Sequence, residues 1–195
     1  MTTAQTAHAA VPQPPQTRAT FDPATIALHW ITVALVVSLF AVGWSIDLAP
    51  DDRAARLLLT LHRSLGVTVW GVAVVRLGWR FAGARHPPFP QTAPLPQRLA
   101  ARLNEYALYG LLLVQPATGV AQSLYRGKPF ALFLWQLPRL AARDKVLVHQ
   151  FHQLHEWGAW ALAGLIGLHA AAALLHGLVL RDGVLHSMAP LRRSR

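Results

Sequence analysis

The amino-acid sequence predicts an all-α membrane protein folded as an antiparallel four-transmembrane-helix bundle. Only 13% of its 195 residues are charged and 53% are hydrophobic, whereas a soluble domain carries about a quarter of its residues as charges. Three stretches of 20 to 24 residues contain no Asp, Glu, Lys or Arg, and about 20 apolar residues suffice for a helix to cross a bilayer. Shorter segments rich in charge or proline separate these stretches.

The first predicted span is the uncharged run 23–46. Asp22 followed by Pro23 is typical of an N-cap with proline at the first helical position. The preceding residues 1–22 are rich in Pro, Gln, Thr and Ala without an apolar core, which predicts a disordered tail rather than a secretory signal. We therefore expect one transmembrane domain over residues 23–190, with a basic C-terminal tail at 191–195.

The second span, starting near Leu57, contains two charges, Arg63 and Arg76. They lie about 20 Å apart along a helix, so each guanidinium can reach its own membrane interface. The third and fourth spans are the uncharged runs 106–125 and 157–180. Four spans place both termini on the same side of the membrane.

The connections 47–56, 80–102 and 126–148 are predicted to be turns. The prolines in 80–102 argue against a helix there; they are Pro87, Pro88, Pro90, Pro94 and Pro96. Ten Arg and Lys near the span ends lie on the side of the termini and eight on the other, which favours termini on the cytoplasmic side of the membrane. The connection 126–148 is unusually basic for an outer loop.

The absence of cysteine excludes disulfides, thiolate-bound iron-sulfur clusters and covalently attached haem. Methionine occurs only as Met1 and Met188, so a thioether ligand within a span is also excluded. Redox chemistry would therefore depend on the ten histidines. An ionisable residue within a span is costly and indicates a functional site.

Four histidines pair by depth in an antiparallel bundle. His62, early in the second helix, and His155, at the start of the fourth, lie near the outer face. His29, early in the first helix, meets His169, which follows His155 by 14 residues and about 21 Å on nearly the same helix face. Two pairs at two depths indicate two haems with bis-histidine ligation, since zinc generally takes three or four protein ligands.

Spacing alone leaves alternatives open. His152 lies one turn before His155, and His176 lies seven residues after His169 on nearly the same face, so either could replace its neighbour as a ligand. Arg63 and Arg76 could bind haem propionates or simply extend to the interfaces. Gln115, before Pro116 in the third span, could satisfy a carbonyl freed by the proline or face a quinone.

Several segments resemble the bacterial cytochrome b561 family of four-helix inner-membrane dihaem proteins. They are IALHWITVALV around His29, LHRSLGVTVWGVAVVRLGWR around His62, YGLLLVQPATGVAQS in the third span and HEWGAWALAGLIGLHAAAALLHGLVLRDGVLHSMAP in the fourth. The resemblance implies two b-type haems, with iron bound by His62 and His155 at the outer site and by His29 and His169 at the inner site. It also implies a quinone partner, ubiquinone.

The segment LYRGKPF, residues 124–130, resembles the superoxide oxidase branch of this family, which implies electron transfer from periplasmic superoxide to ubiquinone. Arg126 and Lys128, together with Arg63 and Lys145, would then attract a small anion to the outer haem. The same cations could instead bind anionic lipid headgroups.

Two other functions compete with this one. The chain could be an electron-relay cytochrome b subunit that links the quinone pool to a separate redox partner protein. It could also be a histidine-lined proton or metal transporter without haem, although the paired depths and the motifs would then be coincidental. No nucleic-acid partner is expected, and the sequence leaves the oligomeric state open.

Overall fold

A computed structural model provides the fold and describes residues 20–84, 94–181 and 184–188. Four long helices dominate it; they are α1 (Pro23–Ile46), α2 (Asp52–Phe81), α3 (Leu95–Tyr125) and α4 (Lys145–Leu174). A π-helical turn, Leu175–Leu180, continues α4, and a short helix α5 follows at Val184–Ser187. The predicted C-terminal tail and most of the N-terminal tail lie outside the described residues.

Helix α1 begins and ends as predicted, because acidic residues flank its apolar run. The Asp22 carboxylate caps the helix by accepting hydrogen bonds from the backbone N–H (2.9 Å) and the hydroxyl (2.7 Å) of Thr25. The Trp79 indole N–H also donates to this carboxylate, over 3.1 Å. Partial burial acts to raise the pKa of Asp22, but these hydrogen bonds together outweigh it and lower the pKa to about 2.

The prediction of turns at 80–102 is wrong at both ends of that segment. Helix α2 continues to Phe81, and α3 begins at Leu95, with Pro94 at its N-cap and Pro96 in its first turn. Proline is compatible with a first helical turn because N–H groups there have no intrahelical acceptor. The remaining prolines, Pro87, Pro88 and Pro90, lie outside the described residues.

Three of the described helical segments are long and apolar enough to cross a membrane: α1, α2, and α4 together with its π-helical turn. Helix α3 has 31 residues, but polar side chains such as Gln115 and Gln122 reduce its mean hydropathy. The fold is thus a helical membrane protein. Pro116 lies inside α3 without ending it.

Helix packing leaves α4 apart from half of the bundle. Helix α1 packs on α2, α2 on α3, and α3 on α4, whereas within the described residues α4 packs closely against no long helix except α3. An apolar cluster of Val36, Val69, Ala73 and Leu112 joins α1, α2 and α3, and Ile166 of α4 reaches it. The space between α4 and the α1–α2 pair is therefore bridged by side chains.

The connection between α3 and α4 contains an antiparallel hairpin that the sequence did not predict. Its strands are β1 (Phe130–Leu132) and β2 (Trp135–Leu137). Phe133, at the turn, has a φ of 53°, which is unusual for a bulky side chain, and its N–H donates to Ser64 Oγ of α2 over 2.7 Å. This bond holds the hairpin against α2.

Candidate functional site

The outer histidines, His62 of α2 and His155 of α4, face each other across the bundle. Their ring centres lie 6.0 Å apart with an interplanar angle of 77°. Because α4 does not pack closely on α2, the two rings extend into the space between the helices. The structure thus brings together the two outer histidines that were predicted to pair from their depth in the bundle.

Hydrogen bonds from α3 fix the orientation and tautomer of His155. Its Nδ1 lies 3.1 Å from the carbonyl oxygen of Gln115 and 3.0 Å from Thr118 Oγ1. The Thr118 hydroxyl itself donates to that carbonyl over 2.7 Å. Since a carbonyl only accepts, His155 Nδ1 is the donor, and Nε2 carries the lone pair of the neutral ring. This is the arrangement that supports a metal-binding histidine.

Glycines lie against both outer imidazole rings. A Cβ atom at Gly43 of α1 would lie 3.2 Å from His62 Cε1, and one at Gly119 of α3 would lie 3.2 Å from His155 Cε1. Larger residues at these positions would push the rings out of place. The buried Nδ1 of His62 has no hydrogen-bond partner among the described residues.

The inner histidines, His29 of α1 and His169 of α4, are also adjacent, with ring centres 6.2 Å apart and an interplanar angle of 56°. His169 is exposed although it lies beside His29. Its exposure reflects the open space between α1 and α4 at this level.

Arg76 of α2 points into the bundle at the inner level instead of extending to the interface. Its Nη2 donates to His29 Nδ1 over 3.2 Å, and its guanidinium lies over the Tyr109 ring, 5.3 Å from the ring centre. Its buried Nε has no partner among the described residues. Because arginine only donates, this contact places the proton of a neutral His29 on Nε2, the opposite tautomer to His155.

The geometry of both pairs fits bis-histidine ligation of a b-type haem. Two metal–nitrogen bonds of about 2.0 Å each, plus the distance from each bonded nitrogen to the centre of its ring, place the two ring centres about 6 Å apart, which matches the 6.0 Å and 6.2 Å observed. In the described part of the chain no group of three or more His, Asp or Glu could hold a metal ion. Helix α4 does not pack closely on α1 or α2, as a group held between these helices would require, and the unpartnered Nε–H of Arg76 suits a propionate.

The two alternative ligand candidates have other surroundings. His176 is buried in the π-helical turn, and its Nε2 lies 2.8 Å from Nε2 of Gln97 at the start of α3. His152 lines an open cavity beyond the outer pair. Gln115 has a structural contact, because its amide donates to the carbonyl oxygen of His155 over 2.7 Å.

Permanent cations surround the outer end of the site. Arg63 is partly buried; its Nε donates to Ser123 Oγ over 3.0 Å, and its guanidinium lies 5.2 Å from the centre of the Phe130 ring. Arg126 and Lys128 line the open cavity, which has a volume of about 560 Å³. We term it the basic cavity, and its lining residues are Gln122, Arg126, Lys128, Arg143, Lys145, Val148, His149 and His152.

Sequence reasoning missed the α3 residues that position His155. Thr118 and Gly119 follow Gln115 and Pro116, and this run of small and polar residues in an otherwise apolar span was the available signal. Among the glycines, Gly43 of α1 contacts the candidate ligand His62. An added Cβ at Gly66 or Gly164 would meet nothing within 4 Å.

Comparison with known proteins extends this description. The family profile described as prokaryotic cytochrome b561 matches residues 20–190. Cytochrome b561 homolog 1 of Escherichia coli (strain K12) is 30% identical over 183 residues, covering 89% of this chain and 98% of that protein. The probable superoxide oxidase CybB of Yersinia pestis is 28% identical over 172 residues, covering 86% of this chain and 94% of that protein.

A further relative, cytochrome b561 homolog 2 of Escherichia coli (strain K12), is 34% identical over 110 residues. This match covers 56% of the chain and 58% of that relative. The similarity to homolog 1 and to the Yersinia protein covers nearly their whole lengths.

Proposed function

The chain belongs to the prokaryotic cytochrome b561 family of haem-binding, electron-transferring membrane proteins, and from this premise we propose that it is a dihaem superoxide:ubiquinone oxidoreductase. The observation that carries the proposal is the presence of two histidine pairs at two depths. Their ring centres lie 6.0 Å apart in one pair and 6.2 Å apart in the other. The similarity to a protein named as a probable superoxide oxidase supports the choice of electron donor.

His62 and His155 hold the outer haem, and His29 and His169 hold the inner one. Bound b-type haem supplies one-electron transfer between the ferric and ferrous states of its iron. Two histidine ligands at each haem would favour electron transfer over oxygen binding. Stacking two such sites, about 21 Å apart along α4, provides a path for electrons between the membrane faces.

Other residues of the chain position the histidines at both the outer and the inner haem site. At the outer site, the Gln115 carbonyl and Thr118 hold His155 with Nε2 available for iron. At the inner site, the Arg76 guanidinium, which contacts His29 Nδ1, would pair with a propionate of the haem. The buried Nε–H of Arg76, unpartnered in the described structure, supports this role because a buried guanidinium gains from an anionic partner.

Superoxide donates its electron to the outer haem at the outer face of the membrane. Arg63, Arg126 and Lys128 raise the local concentration of the anion beside the outer haem by electrostatic attraction. Two superoxide ions lose one electron each to form two molecules of dioxygen. The two electrons and two protons from the surrounding water reduce one ubiquinone to ubiquinol, so charge and atoms balance.

In the proposed topology, α3 crosses the inner membrane in addition to the three apolar segments, which gives a bundle of four spans. Both termini are then cytoplasmic. Helix α3 contributes polar groups to the interior, since Gln115, Thr118 and Ser123 are all buried. Buried polar groups explain how a helix of modest hydropathy can cross the membrane within a bundle. The transmembrane domain then occupies residues 23–190, between tails 1–22 and 191–195.

An electron relay to a separate redox protein is the second candidate function. The observation that favours it is the apolar hairpin tip on the outer side, where Leu134 is fully exposed and Trp135 is 74% exposed. Exposed apolar groups of this kind are suited to contact with a protein or the membrane interface. A protein with this relay function would reduce quinone only when the partner protein was present.

One experiment separates the two functions. Purified haem-loaded protein is given ubiquinone and enzymatically generated superoxide, with superoxide dismutase added in a parallel sample. The proposal predicts ubiquinol formation that superoxide dismutase abolishes. Failure to form ubiquinol from superoxide alone, with haem content intact, would favour the relay.

A further inference from the structure

The basic cavity contains more positive charge than a superoxide path requires. Four permanent cations line it, Arg126, Lys128, Arg143 and Lys145, and none of its eight lining residues is acidic. Its volume of about 560 Å³ falls within the range of about 300 to 1,000 Å³ that small-molecule sites occupy. A diatomic anion would leave most of this space, and most of this charge, unmatched.

The cavity is held together by specific contacts between the end of α3 and the start of α4. Gly127 has a φ of +64°, and a Cβ there would lie 2.7 Å from both the backbone nitrogen and the Cβ of Arg143. Only glycine permits this close approach, because it tolerates a left-handed backbone and lacks a side chain. The turn therefore places Arg126 and Lys128 next to Arg143 and Lys145.

Two further contacts secure the same junction. The Asp144 N–H donates to the Tyr125 carbonyl oxygen over 3.0 Å, and the Tyr125 ring stacks on Phe151, with an interplanar angle of 1° and 5.8 Å between centres. A junction fixed in this way holds the four cations together despite their mutual repulsion. An anion bound among them would relieve that repulsion.

The nearest acid in the sequence does not neutralise the cavity. Asp144 lies between Arg143 and Lys145, but its Oδ1 accepts hydrogen bonds from the N–H groups of Val146 (2.9 Å) and Leu147 (3.0 Å) at the start of α4. It therefore acts as the N-cap of that helix. The carboxylate is absent from the cavity lining.

We propose that the basic cavity binds a phosphate group, either the phosphodiester of an anionic phospholipid headgroup or inorganic phosphate. Arginine pairs with phosphate oxygens through two parallel hydrogen bonds, and lysine adds a point charge. His149 and His152 add ring nitrogens to the same wall. The cavity lies at the start of α4, which the proposed topology places at the level of the lipid headgroups.

Inorganic phosphate is the first probe. Haem-loaded full-length protein is titrated with phosphate at constant ionic strength, balanced with chloride, and the midpoint of thermal unfolding is followed. Arg143→Gln is compared with Arg139→Gln, which removes the same charge from the same connection but outside the cavity lining. We expect phosphate to raise the midpoint of the wild type, and its apparent Kd to rise at least about tenfold in Arg143→Gln but less than about twofold in Arg139→Gln.

The lipid source is tested in nanodiscs of phosphatidylcholine with and without phosphatidylglycerol, by native mass spectrometry of retained lipid. Loss of phosphatidylglycerol in Arg143→Gln but not in Arg139→Gln, and its displacement by phosphate, would identify the headgroup. Arg143-dependent binding of phosphate with unchanged lipid retention would identify the free anion. Lys145→Gln serves as a second cavity variant if Arg143→Gln unfolds.

Equal behaviour of the Arg143→Gln and Arg139→Gln variants towards both probes would overturn the proposal. These readouts measure binding in the absence of superoxide and quinone. A failure here is therefore distinct from a failure of the proposed electron transfer.

Discussion

His155 donates a hydrogen bond from Nδ1 to the backbone carbonyl oxygen of Gln115, 3.1 Å away on the neighbouring helix. This bond leaves the ring's Nε2 directed away from that carbonyl. The carbonyl belongs to the residue before Pro116, where the helix carries a proline in its interior. The same helix thus tolerates a proline and orients the outer histidine.

Loss of the Thr118 hydroxyl should raise the reduction potential of the outer haem. An acceptor for Nδ1–H makes an imidazole a stronger donor to iron, which stabilises the ferric state. Thr118→Val removes one acceptor, worth about 1 kcal/mol, so a rise of about 40 mV is expected. Thr32→Val, another buried threonine that bonds within its own helix, is the control. A redox titration in which both variants match the wild type would contradict this role.

A larger side chain at Gly119 should displace His155 and eject the outer haem. The space for a Cβ there is already limited, with 3.2 Å to His155 Cε1, whereas a Cβ at Gly110 on the same helix meets nothing within 4 Å. We expect Gly119→Val to bind about one haem per chain and Gly110→Val to bind two. Haem extraction and quantification test this difference, and two haems in the Gly119→Val variant would show that the close approach is not needed.

Removing two outer cations should slow superoxide capture at low salt. With Arg126→Ala and Lys128→Ala combined, we expect the second-order rate of haem reduction by superoxide to fall at least about threefold near 10 mM salt, and the difference to shrink at high salt as screening increases. Stopped-flow spectroscopy gives the rate for the double variant and for each single variant, with Arg139→Ala as the control for the single variants. An unchanged rate at low salt would show that these residues do not attract superoxide to the haem.

Acid should weaken the start of α1. The pKa of Asp22 is lowered from 3.8 to about 2, so the ionised cap stabilises the folded state fully above about pH 4 and loses this effect as the pH falls towards 2. Because Trp79 bonds to the same carboxylate, its fluorescence should change over that interval. Asp22→Asn should lack this acid-dependent step, and identical acid titrations of the two proteins would be evidence against it.

Apolar patterning and helix-start signals were sufficient to predict much of the fold. Asp22 and Asp47 bracket α1 because a charge marks each end of its apolar run. The 14-residue interval between His155 and His169 places both on one face of α4, and the structure sets each beside the expected histidine. Local periodicity suffices for such relations because helix geometry is fixed.

Features that depend on contacts between helices were not predictable. Pro94 and Pro96 indicated a loop, although they occupy a helix start, since a proline alone does not distinguish the two. The basic cavity depends on Gly127 packing against Arg143, residues 16 positions apart whose contact arises only when α3 and α4 meet. The tautomer of His155 likewise depends on a backbone carbonyl, which carries no sequence signal.

The most direct test of the central claim, two haems held by two histidine pairs, is the reduced-minus-oxidised absorption spectrum of the purified protein with haem quantified per chain. The wild type should show two b-type haems, and His29→Ala and His62→Ala should each retain one. Loss of a different haem in each variant would be visible in the residual spectrum and its potential. A wild type without haem, or variants that both keep two haems, would contradict the account.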